Sequence, residues 1–91
     1  MLNNMKIYFV EFSFYNGWGE LLKRFNLKCY KNRDSANNYI LDEARRYARL
    51  GFSVSIVNDG VYIDRVKAER KNTKLMKQEI YEISVKEMEV I

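Results

Sequence analysis

An α+β fold, with one helix on one face of an antiparallel sheet of about five strands in the order β-β-α-β-β-β, is what the sequence predicts. Three observations lead there. Asn16-Gly17 and Asp59-Gly60 each lie between runs of alternating polarity, the mark of tight hairpins. The stretch from Asp34 to Leu50 has the apolar period of a helix. The chain has 91 residues, 47% of them apolar and 31% charged, so residues 1–91 read as a single compact domain with an ordinary globular balance.

Lys6 to Phe14 has strand period, with Tyr8, Val10, Phe12 and Phe14 on one face and Ile7, Phe9, Glu11 and Ser13 on the other. The first face is wholly apolar and is expected to point into the core. Asn16-Gly17 then makes a two-residue turn, and Leu21 to Tyr30 returns. In that register Tyr15 opposes Trp18, Phe12 opposes Leu21 and Tyr8 opposes Phe25, which puts both apolar sets on one face. Lys23 is the misfit, and a helical turn at Glu20–Lys23 is the rival. Cys29 falls on the inward parity and reads as a small core residue.

Asp34 or Ser35 is expected to cap the helix, and Gly51 to stop it in the left-handed conformation. Ala36, Ile40, Ala44, Tyr47 and Ala48 gather on one side, and the three alanines allow close approach to a sheet. Phe52, Val54 and Ile56 alternate with serines as a third strand. Asp59-Gly60 turns the chain, and Val61 to Val66 is the fourth strand. Lys67 to Lys77 is polar and basic, with a turn expected near Lys71-Asn72-Thr73. Tyr81, Ile83 and Val85 alternate with Glu82 and Ser84 as a fifth strand, against a rival helix through Met76, Ile80 and Ile83.

Composition removes much recognisable chemistry. There is no His, no Pro and one Cys, so histidine-based triads, ordinary zinc sites and an internal disulfide are excluded. Asp59 or Asp64 followed by Glu69-Arg70-Lys71 resembles the acidic residue plus Glu-x-Lys of restriction-like nucleases, over a handful of positions and without that family's helical flank. Non-enzymatic binding, with no cofactor and no metal, is therefore expected. The apolar runs are far shorter than a membrane span, and no early stretch has the form of a secretory signal. A soluble, cytoplasmic chain in a bacterial host cell is the expectation, with no membrane partner.

The net charge of +4 conceals alternating blocks. Arg65, Lys67, Arg70, Lys71, Lys74 and Lys77 form the densest basic cluster, either a phosphate-contacting surface or the solvating charge of a long hairpin. Tyr15 and Trp18 flank the first turn, either packed on each other across the strands or serving as a partner anchor. Ile7, Phe9 and Leu22 make the outer face of the first hairpin partly apolar, which suits a homodimer. Nine Asn, abundant Lys and Ile, and no Pro indicate an AT-rich coding sequence. In size and composition the chain resembles small phage or mobile-element proteins, including anti-CRISPR-type inhibitors, although it matches no motif of a named inhibitor family. That resemblance implies docking of the basic hairpin and Trp18 onto a protein or protein–nucleic acid complex. The alternative is a small basic dimeric regulator that binds nucleic acid directly.

Overall fold

Alternation of apolar and polar residues from residue 5 to residue 15 gives the first strand, β1 (Met5–Tyr15), which pairs with β2 (Leu21–Tyr30). A computed structural model describes residues 5–72 and 77–90. The helix α1 (Arg33–Arg49) comes next, then β3 (Ser53–Asn58), β4 (Ile63–Asn72) and β5 (Lys77–Val90). All pairings are antiparallel and the strand order is β2-β1-β5-β4-β3. The α+β fold with a five-stranded sheet and one helix is as the sequence predicts. The last segment is strand, not helix, and β5 lies at the centre of the sheet between β1 and β4.

Asn32, rather than Asp34 or Ser35, caps the helix: its side-chain oxygen accepts from the Ser35 backbone N–H at 2.8 Å. Gly51, at φ +93°, ends the helix as expected, in a conformation that a side chain would strain. Ala36, Ile40, Ala44 and Tyr47 are buried, whereas Ala48 has turned to solvent. Facing them are Val10 of β1, Ile83 of β5 and Ile63, Val66 and Ala68 of β4. Tyr81 is the hub of an aromatic cluster, with ring centroids 5.7 Å from Phe12, 5.6 Å from Tyr47 and 5.6 Å from Phe52. Burial raises the Tyr47 hydroxyl above the ordinary tyrosine pKa, since the ring sits where an anion would be poorly solvated. The start of the helix is tied to the start of β4. Arg33 donates to the Ile63 carbonyl at 2.9 Å and to Asp64 at 3.0 Å, and Asn37 accepts from the Ile63 N–H at 2.7 Å.

Both hairpins depart from two-residue turns, and the cause is the same. In the first, the Asn16 side chain accepts from the N–H groups of Trp18 and Glu20, both at 3.0 Å, while Gly19 takes φ +83°. Side-chain acceptance at Asn16 and a left-handed glycine after the turn make a three-residue loop, closed by Asn16 N–H donating to the Glu20 carbonyl. Tyr15 therefore pairs with Leu21, Phe12 with Phe25 and Tyr8 with Tyr30. In the second hairpin Asp59 accepts from Val61 and Tyr62, which widens the loop to residues 59–62 and leaves Val61 outside β4. Those two N–H donors also hold the Asp59 carboxyl below the ordinary aspartate pKa.

Register irregularities in the β1–β2 ladder reverse two expectations. One lies between the Phe14–Lys23 and Tyr15–Leu21 pairs and moves Leu21 off the helix face to stand opposite Tyr15, while Lys23 keeps the parity of Phe25, its amine 5.3 Å from that ring centroid. The other, at Leu27, shifts the parity of the residues beyond it. Cys29 then pairs with Phe9 and is exposed on the face away from the helix, not in the core.

Candidate docking site

The C-terminal end of β1, the loop after it and the neighbouring β5 create a groove at one end of the sheet. Tyr15, Leu22 and Ile80 supply apolar walls, with Gln78 and Lys71 at the polar margin and Phe14, Glu79 and Tyr81 adjoining along the same strands, around a volume of ≈ 770 Å³. The register explains the assembly: Tyr15 pairs with Ile80 and Phe14 with Tyr81, while Gln78 pairs onward with Lys71. The loop between β1 and β2 overhangs this end. Gly17 sits against Gln78, with room for a Cβ at 3.5 Å. Trp18 stands at the tip, 87% exposed.

Trp18 contributes little to the fold around it. Its backbone is fixed by Asn16, so the indole is presented from an ordered loop, but the expected Tyr15–Trp18 cross-strand pair is absent because Leu21 occupies that place. Tyr15 is half-buried, with its hydroxyl 3.4 Å from Arg24.

Among the described residues, the cations of the basic cluster do not share one face of the sheet. Successive residues of a strand point to opposite faces, so Arg70 leaves the face that carries Arg65, Lys67 and Lys71. Its guanidinium lies 4.2 Å from the Phe52 ring centroid, pairs with Glu79 at 2.8 Å and donates to the Leu50 carbonyl at 3.2 Å, joining the helix end to β4 and β5. Lys67 pairs with Glu69 at 3.2 Å. Arg65 lies farther along β4 in a shallow hollow with Glu82 and Lys86. Among the described residues of the cluster, only Lys71 joins Tyr15 and Trp18 at the groove. Lys74 lies outside the described residues, and Lys77 is described only as a backbone position in β5. Of the groove's other lining residues, Phe14, Ile80 and Tyr81 are not singled out in the sequence as partner-contacting, because nothing in it shows that β5 returns beside β1, and Leu22 is singled out there only as part of a dimer face.

The face of the sheet away from the helix is not a continuous apolar patch. Ile7 and Phe9 lie toward one end and Leu22 at the other, with Glu11, Ser13 and Arg24 between them. Arg24 bonds Ser13 at 3.0 Å and approaches Glu11 at 3.3 Å, and its bulk helps leave Ser13 only 2% exposed. A dimer through Ile7, Phe9 and Leu22 would have to bury that polar band.

The acidic residues do not converge. Asp59 is engaged by its own loop and Asp64 pairs with Arg33, while Glu69 lies at the other end of β4 with Lys67 and Gln78. Among the described residues no group of three His, Cys, Asp or Glu side chains is placed to hold a metal ion, and no helix is long and apolar enough to cross a membrane. Comparison of the chain with protein-family models, curated proteins and solved structures finds no match.

Proposed function

We propose that this chain is a non-enzymatic docking protein that holds a macromolecular partner through Trp18 and the groove beneath it. The observation that carries the reading is a large indole left in water on an ordered loop, beside an apolar hollow with a lysine at its rim. Exposed tryptophan is costly to hydrate and is enriched at the energetic centres of interfaces. A nucleoprotein effector, which offers apolar protein surface beside phosphate, is the partner chemistry that this combination fits. The role is then that of an anti-CRISPR-type inhibitor occupying the effector's working surface. Direct recognition of free nucleic acid has less support, because Arg70 and Lys67 are engaged by Glu79 and Glu69.

The test is affinity capture from the encoding cell, with the natural chain and a Trp18→Ala variant as baits. Since Trp18 is 87% exposed, truncation removes only about 30 Å² of buried surface, worth under about 1 kcal/mol. Thermal melting should therefore fall by less than about 6 °C. Partner affinity should fall by about 30-fold or more, the measure of an interface anchor. Equal affinity of the two baits would refute the anchor. A salt-titrated gel shift supplies the other arm: tight, steeply salt-dependent binding to free DNA or RNA would move the assignment to a nucleic-acid regulator.

A further inference from the structure

The two edges of the sheet are managed differently. The β2 edge carries Lys23, Arg24 and Lys28 and has two register irregularities, the usual devices that keep a strand edge from pairing. The β3 edge has none of these along Ser53–Val57. Its sequence is Ser-Val-Ser-Ile-Val, without charge or proline, and Ile56 and Val57 are 45% and 46% exposed. Backbone donors and acceptors on its outer side have no strand beyond them among the described residues.

We infer that β3 pairs antiparallel with β3 of a second copy about a two-fold axis at Ser55, joining two sheets into one of ten strands. The register comes from the ladder. β3 pairs regularly with β4 from Ser53 to Val57 and shifts between Val57 and Asn58, so the regular stretch has Ser55 at its midpoint. A two-fold there sets Val54 opposite the partner's Ile56, and Ile56 opposite the partner's Val54. Both are pairs of β-branched residues on the helix side, the kind that stabilises adjacent strands. Ser53 meets the partner's Val57, and Ser55 meets its own copy, so no like charges face each other. Two copies joined at β2 would instead bring Lys23, Arg24 and Lys28 together. The β3 pairing is isologous and closes on itself, leaving the charged β2 edges outermost. The groove at Trp18 lies by the β1–β2 loop and remains open in both copies.

The full chain should sediment at twice 10.9 kDa at concentrations up to about 200 µM, with Ile56→Lys weakening association about tenfold or more at unchanged circular dichroism. Cysteine cross-linking reads the register directly, in a Cys29→Ser background. Directly opposed residues have Cα atoms about 5 Å apart, within disulfide reach, so Ser55→Cys should cross-link under mild oxidation. Ser53→Cys would lie about 13 Å from its copy and should not. A monomer throughout that range overturns the inference. A dimer whose Ser55→Cys form stays uncross-linked, or whose Ser53→Cys form cross-links as readily, uses another surface and overturns it equally.

Discussion

Replacing Arg70 by alanine separates a structural cation from a surface one, and the structure fixes the size of the effect. Three interactions end together. The Arg70–Glu79 pair is partly exposed, at 39% and 24% of the two side chains, so it is worth about 0.5–1 kcal/mol after screening. The guanidinium over Phe52, at 4.2 Å from the ring centroid, contributes about 1 kcal/mol. The bond to the Leu50 carbonyl adds about 0.5–1 kcal/mol. Their combined loss is about 2–3 kcal/mol, a large share of the roughly 5–14 kcal/mol that holds a domain of this size. Arg70→Ala should therefore lower the melting temperature by about 10–20 °C. Lys71→Ala, next in sequence and exposed, should stay within about 0.5 kcal/mol of the natural chain. Arg70→Lys should recover only part of the loss, because an ammonium cannot lie flat on the ring and bond Glu79 through two nitrogens. Thermal melts of the three variants, tracked by circular dichroism at one pH and salt concentration, measure this. Arg70→Ala melting within about 3 °C of Lys71→Ala would refute the assignment of Arg70 to the fold.

The turns give two further expected outcomes. Gly51→Ala should cost about 1 kcal/mol, because its φ of +93° strains any side chain although open space surrounds it. Gly17→Ala, with a Cβ in ordinary contact with Gln78, should cost much less, and denaturant midpoints compare the two. Asp59 governs a pH effect. Its folded pKa lies below the ordinary 3.8 because Tyr62 and Val61 donate to the carboxylate, so its contribution is present above the unfolded value and is lost as pH falls through the folded one. Asp59→Asn should flatten the decline in urea midpoint below about pH 4, and identical slopes for the two proteins would exclude the carboxylate as a source of that decline.

The strands, the helix and their order were legible in the sequence because each rests on local periodicity. Val10 on the apolar parity, Ala36-Ile40-Ala44-Tyr47 at helical spacing and Gly51 at the helix end required no knowledge of distant partners. Short-range effects were harder to read where a side chain competes with the backbone. Asn16 and Asp59 draw N–H groups into wider loops, and that changes which residues face each other along the whole hairpin. An irregularity at Leu27 then moves Cys29 to the opposite face, since one extra residue inverts strand parity.

By itself the sequence determined the number and order of the strands and helix, the apolar face of the helix and the absence of histidine chemistry, all of which depend on residue type and near neighbours. Tertiary structure alone decided that β5 runs between β1 and β4, which brings Tyr81 into the aromatic cluster and Ile80 beneath the Trp18 loop. It also decided the fate of each cation in a dense run, turning Arg70 inward against Phe52 and Glu79 and leaving Lys71 at the groove. The physical reason is that strand order and cross-strand partnership are set by contacts between residues far apart in the chain, and a strand's own alternation carries no label for the neighbour it will meet.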